Sequence, residues 1–278
     1  MKLYRHWAAA EKSITDAEGN RLRLRKWGGS NASAGAAEDS ARSKVEELAA
    51  RLMRRADIRW ANDYTYNTRD LPEELIEEID AHSGITRNRY GCLVLNTDNM
   101  MIADVDLPKP GWFARFMKVL GKHKALTEAE AILKLTEWLL LHPDAGARVY
   151  RTAAGLRYIF SHAPIAPDAK AFDWLKELGS DRLYVFLCKE QQSFRARLTP
   201  KPWRCGQERP PAQLYPFINE KSANAFNNWL SAYKTKASPY ATCSYIGNYG
   251  RSAIHPDLQR QISKHDELTR SSTGAELA

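Results

Sequence analysis

The 278-residue chain has no apolar run approaching the roughly 20 residues that a membrane span requires. The longest run, Trp138 to Leu141, has the length of a helix core. No apolar segment follows the opening Met1-Lys2-Leu3-Tyr4-Arg5-His6-Trp7, as a secretory signal would require. With neither feature, the expectation is a cytoplasmic protein without membrane contact. Cysteine is sparse: Cys92, Cys188, Cys205 and Cys243 lie far apart and form no C-x-x-C pair. That argues against a zinc ribbon or a redox motif and predicts reduced, buried thiols. The seven histidines contain no H-x-x-x-H or H-E-x-x-H spacing. There is no G-x-x-x-x-G-K-[ST] and no G-x-S-x-G, which disfavours a P-loop ATPase and an α/β-hydrolase. No internal repeat or long low-complexity tract is present.

What the chain does have is an uneven distribution of charge. The formal total is +8. Residues 1–55 carry +5, residues 56–107 carry −7, residues 108–205 carry +8 and residues 206–278 carry +2. The acidic block includes Glu73, Glu74, Glu77, Glu78 and Asp80, and an aspartate pair, Asp104 and Asp106, inside an apolar strand pattern. A strongly basic block follows at once. An acidic pair beside a basic stretch suits a metal-bound polyanion better than simple charge docking.

These shifts divide the chain into a basic N-terminal region (1–55), a core (56–205) and a C-terminal helical region with a polar tail (206–278). In the first, Arg21 to Arg25 alternates as an exposed strand, Gly28 to Ser40 has the composition of a flexible linker, and Ser43 to Asp57 is helical in period. Asp70-Leu71-Pro72-Glu73 has the pattern of a helix start, predicting a helix to Ala81. Gly91–Leu95 and Met100–Leu107 form two strands of an expected hairpin, closed by Pro108 and Pro110. The capping box Thr127–Glu130 starts an amphipathic helix to Leu141. Ala147–Thr152 and Leu156–Ser161 form a hairpin around Ala153-Ala154-Gly155. Helices are expected from Asp168 to Leu178, ended by Gly179, and from Arg182 to about Gln191, capped by Asp181. Ser193–Thr199 alternates as a strand, Asn219–Lys234 is helical, and the polar tail after Ser263 is expected to fray. The order predicts an α+β fold: an antiparallel sheet with helices on one face and helical flanking regions.

Three segments carry candidate chemistry. In Asp104-Val105-Asp106, strand alternation sends both carboxylates to one face. They repel unless a cation joins them, and Mg²⁺ or Mn²⁺ takes such oxygen ligands. In Tyr150 to Arg157, a tight glycine turn brings backbone N–H groups, Thr152 and Arg157 near one point, where Arg157 offers a fork for phosphate. In Phe194 to Arg204, alternation puts Arg195, Arg197 and Thr199 on one face, and Lys201 extends the basic row. Trp60, Tyr64 and Tyr66, or Tyr245 and Tyr249, are candidates for stacking on bases, with packing as the plainer reading. His162 reads as a loop histidine.

The order of these segments resembles the catalytic core of archaeo-eukaryotic primases and their primase-polymerase relatives. There an apolar strand ends in D-x-D or D-x-E, as Ile102-Ala103-Asp104-Val105-Asp106 does here, and a hairpin near S-G-x-G-x-H follows, as Thr152-Ala153-Ala154-Gly155-Leu156-Arg157 does. Arg195, Arg197 and Lys201 resemble the family's triphosphate-binding basic residues. The resemblance covers about residues 90–205. It departs from the pattern at Arg157, which stands where the family has histidine, and in the 193–199 strand, which lacks the third acid; Asp181 is the one acid nearby. The resemblance implies an RRM- or ferredoxin-like core, metal-dependent nucleotidyl transfer in DNA replication with Asp104 and Asp106 as catalytic metal ligands, and nucleoside triphosphate or nucleic acid as partner. The alternative is a non-catalytic basic nucleic-acid-binding or mobile-element accessory or assembly protein. In that case Asp104 and Asp106 pair with Arg195 and Arg197 inside the sheet.

Overall fold

The computed structural model describes residues 1–15, 19, 21–54, 72–107, 126–211 and 215–278. The class is α+β with antiparallel sheets, as the sequence pattern predicts. The expectations that rest on Asp70, Leu71, Pro108, Pro110 and the aromatics Trp60, Tyr64 and Tyr66 lie outside the described residues. No helix among the described residues is long and apolar enough to cross a membrane.

The N-terminal unit is a two-stranded ribbon, β1 (His6–Thr15) and β2 (Arg21–Ser30), covered on one side by α1 (Ala34–Arg54). The expected linker at Gly28–Ser40 is therefore strand and helix. Gly28 shows why composition misled: a Cβ there would lie 2.2 Å from the Ala37 carbonyl oxygen and from the Ala41 nitrogen. The glycine lets the helix backbone press directly on the strand, and Ala37 and Ala41 are fully buried in the contact.

Two four-stranded sheets form the body. The first has the order β10–β7–β8–β6, with β6 at Ile102–Asp106, β7 at Gly146–Thr152, β8 at Gly155–Phe160 and β10 at Cys243–Gly250. The second has the order β3–β4–β5–β9, with β3 at Glu74–Asp80, β4 at Ser83–Arg87, β5 at Leu93–Thr97 and β9 at Phe194–Arg197. The helix expected over 70–81 is strand from Glu74 onward. Its residues pair with β4, and Asp80 turns the corner by accepting from the His82 N–H and the Ser83 hydroxyl. The expected hairpin of 91–95 with 100–107 is also replaced. β5 pairs with β4 and β9, and the chain then crosses to the other sheet, where β6 pairs with β8. Thr97, Asn99 and Gln261 tie this crossing together by buried side-chain hydrogen bonds.

Helix α2 (Glu128–Leu141) begins at the Thr127–Glu130 capping box as expected. α3 (Ala169–Glu177) and α4 (Arg182–Gln191) start on the side chains of Asp168 and Asp181. α5 spans Glu220–Ala237 and α6 spans Pro256–Thr269. Helices reach the first sheet from both sides. Tyr158 of β8 donates to the Ala131 carbonyl of α2, while the neighbouring Arg157, pointing the other way, meets His265 of α6. The tail does not fray: His265 and Thr269 are fully buried, and Ala278 donates to the Ala241 carbonyl. The region after 205 thus supplies both an edge strand and a covering helix to the first sheet. All four cysteines are free and buried. Burial pushes the thiols of Cys92 and Cys188 up to about 11 and about 12, so they are unreactive at neutral pH.

Candidate phosphate site at the seam between the sheets

The edge strands β6 and β9 lie side by side without pairing, and other groups satisfy their carbonyls. The Tyr184 hydroxyl of α4 donates to the Ile102 carbonyl (2.6 Å) and accepts from the Arg195 N–H (3.4 Å). The Asp181 N–H donates to the Asp104 carbonyl (3.0 Å). Arg157 reaches across from β8 to the Arg197 carbonyl (3.0 Å). A seam with so many polar backbone groups is closed only because side chains from α4 and β8 fill it.

Arg157 is the centre of this arrangement and is 1% exposed. Register places it directly opposite Asp104. Its Nε donates to Oδ1 (2.8 Å) and its Nη2 to Oδ2 (3.3 Å), a two-pronged pair. Its Nη1 also lies 3.3 Å from Nε2 of His265. A guanidinium only donates, so Nε2 accepts and the proton sits on Nδ1, which gives it to Asp266 Oδ1 (2.9 Å). Burial, with the Arg157 charge beside it, holds His265 below its ordinary pKa and neutral. Burial alone would lower the Arg157 pKa as well, but Asp104 outweighs it and the net direction is up.

Asp106 is treated differently by the same register. Its partner on β8 is Gly155, which has no side chain to offer, and a Cβ there would lie 2.0 Å from the Val105 carbonyl oxygen. Asp106 is exposed, with no ion pair within 4 Å among the described residues. Partial burial, then the charges of Asp181 and Asp104, raise its pKa. It lines a cavity of about 490 Å³ together with Leu107, Ala153, Ala154, Arg204, Leu277 and Ala278.

The basic residues divide as well. Arg195 is not at the cavity: its Nη2 donates to both oxygens of Glu73 (2.6 and 2.8 Å), and both residues are under 10% exposed. Arg197, two residues on, has no carboxylate or other acceptor for its side chain among the described residues. Lys201, at the start of the short 3₁₀ turn Pro202–Arg204, and Arg204 within it are likewise without ion pairs there. Burial, then the mutual repulsion of Arg197, Lys201 and Arg204, lowers the pKa of Lys201. Burial, with Arg157 and Arg204 adding to it, lowers that of Arg197.

Three expectations change accordingly. The pairing of Asp104 and Asp106 with Arg195 and Arg197 is replaced by Asp104 with Arg157 and Arg195 with Glu73. The hairpin turn does not present its N–H groups to a ligand, because the Thr152 hydroxyl accepts from Ala154 and Gly155. Arg157 is spent on Asp104 and does not face the cavity. Tyr245 packs against Tyr150 and carries Arg148 over its ring (4.4 Å), a packing role. His162 sits half-buried beside the Gly146 carbonyl.

Of the carboxylates that Mg²⁺ or Mn²⁺ would need, Asp106 is unpaired among the described residues, but the other two are engaged. Asp104 gives both oxygens to Arg157, and Asp181 gives Oδ1 to the Tyr184 N–H as a helix cap. No group of three or more His, Cys, Asp or Glu residues among the described residues is placed to hold a metal ion. As arranged, the residues do not fit the ion.

Arg204, Tyr184, Glu73 and His265 escaped the sequence reading of the site, which named Asp181 only as the one acid near the motif. Arg204 had a signal in the stiff Lys201-Pro202-Trp203-Arg204 turn. Glu73 and His265 had none, since their partners lie 122 and 108 residues away. No protein-family model, no curated protein and no solved structure matches the chain, so the likeness to primase-polymerases rests on the motifs quoted above.

Proposed function

We propose that the protein binds the phosphates of a nucleotide or nucleic-acid strand at Arg197, Lys201 and Arg204, using its own cations rather than a metal held on Asp104. The observation that carries this reading is the imbalance at the cavity. Arg204 lines the cavity, Arg197 and Lys201 lie close enough to Asp106 to feel its charge, and none of the three has an ion pair among the described residues. Repelling cations kept together in a partly buried site are stabilised by an incoming polyanion. The captured Asp104 favours binding over nucleotidyl transfer. The non-catalytic nucleic-acid-binding reading therefore leads, and the enzyme reading requires Arg157 to release its carboxylate.

Fluorescence anisotropy with a labelled nucleoside triphosphate and a labelled single-stranded oligonucleotide tests this. Lys201→Ala/Arg204→Ala is expected to weaken binding by about tenfold or more, as removal of two charge-assisted hydrogen bonds implies. Asp106→Asn is expected to tighten it, and chelation with EDTA to leave it unchanged. If Asp106→Asn abolishes binding, or if Mn²⁺ is required, a metal site is at work and the proposal is wrong.

A further inference from the structure

The N-terminal unit presents a second basic surface, separate from the seam. β1 and β2 pair without a bulge over their whole length, from His6↔Ser30 to Thr15↔Arg21. α1 covers one side of the ribbon, where Ile14, Ala37, Ala41, Val45 and Ala49 are buried. On the other side Tyr4 packs at Gly29, and the strand beyond is exposed among the described residues. There Arg21, Arg23 and Arg25 stand in a row on β2, all exposed. Facing them on β1 are Thr15, Ser13 and Glu11, in that order. Among the described residues Glu11 is the one carboxylate on this face: it meets Arg23 (Nε at 3.0 Å) and lies 3.8 Å from Arg25. Arg25 also lies 4.9 Å over the Trp27 ring. Among the described residues, three guanidiniums against one carboxylate leave a net positive face, with Ser13 and Thr15 beside the arginines.

We propose that this open face docks into the major groove of duplex DNA. Charge complementarity names a polyanion, and shape names the duplex. The B-form major groove, about 12 Å wide, admits a two-stranded ribbon. The A-form groove of duplex RNA is deep and narrow and does not. The arginines, about 7 Å apart along the strand by the ordinary strand rise, reach successive phosphates or guanine edges. The helix on the far side stays clear of the groove and supports the paired ribbon.

The test is anisotropy with a fluorescent mixed-sequence DNA duplex of about two helical turns, titrated at several salt concentrations. Arg21→Gln/Arg23→Gln/Arg25→Gln changes exposed residues only, and thermal melting confirms that the variant folds. Wild type is expected to bind, and the triple variant to bind about tenfold or more weakly. Its log affinity against log salt should flatten by about two to three, near 0.9 for each phosphate that is no longer neutralised. Arg42→Gln, on α1, is expected to behave as wild type. Failure of wild type to bind overturns the proposal, as does an unchanged triple variant or an equal weakening in Arg42→Gln. Equal affinity for an RNA duplex or a single strand, with the same arginine dependence, overturns groove docking. Because Lys201 and Arg204 are untouched, this experiment reads the ribbon independently of the cavity.

Discussion

At the residue scale, one guanidinium decides how the candidate site is wired. Arg157 holds Asp104, the Arg197 carbonyl and the neutral His265 at once. Replacing Asp104 by Asn leaves a buried charge without its counter-charge, and such substitutions cost about 3–5 kcal/mol. The lower end is expected here, since the Asp104 side chain is 27% exposed. Asp106→Asn, with no partner to orphan, is expected to leave the urea midpoint nearly unchanged. Equal effects of the two substitutions would contradict the wiring. His265 supplies a pH dependence of definite sign. Its pKa is lowered by folding from an unfolded value near 6.5. The unfolded chain therefore takes up a proton that the folded chain refuses, and stability present above pH ~6.5 falls as pH drops below it. The slope approaches about 1.4 kcal/mol per pH unit for this one proton. His162, also lowered by burial, acts in the same direction. Urea unfolding across this range should show the decline in wild type and a shallower one in His265→Gln.

At the element scale, local chemistry was a good guide wherever it sufficed to define the element. The Thr127–Glu130 box, the Asp168 and Asp181 caps and the Ala153-Ala154-Gly155 turn each act within a few residues, and each element stands where its pattern predicts. The pattern failed where a distant partner decides. The Asp70–Glu73 signature is that of a helix start, yet β4 is available to pair with Glu74–Asp80, and the pairing prevails. Likewise the Asp104-Val105-Asp106 alternation was legible, but its meaning was not. That one acid faces an arginine and the other a glycine is set by the β6–β8 register. Gly155 makes this register possible. Gly155→Ala would press a Cβ against the Val105 carbonyl, 2.0 Å away, and force the strands apart. A destabilisation of about 1–3 kcal/mol is expected, as for other overpacked sites, measured as a drop in urea midpoint. No change in stability would mean that the strands are looser than described.

At the scale of the whole molecule, the blocks of charge seen in the sequence are redistributed by the fold. Much of the acidic block is spent on internal pairs: Glu73 on Arg195, Glu74 on Arg87, Glu78 on Arg5 and Asp104 on Arg157. Among the described residues, basic side chains gather in two places with few carboxylates, beside Asp106 and on the ribbon. The two are chemically unlike: one is partly buried, recessed and opposed by Asp106, the other flat and solvated.

The wiring of Arg157 also has a timing. Asp104 is 53 residues before it and His265 is 108 residues after it. While the chain is being synthesised, both acids, the hairpin and the basic row exist before α6 is made. Until α6 docks, Arg157 lacks its contact with His265, and an ion pair left in water contributes only about 0–1 kcal/mol. The seam is thus among the last parts of the molecule to become rigid. A chain stopped before residue 256 would contain every charged group of the proposed phosphate site and yet lack the imidazole that meets Arg157 beneath it.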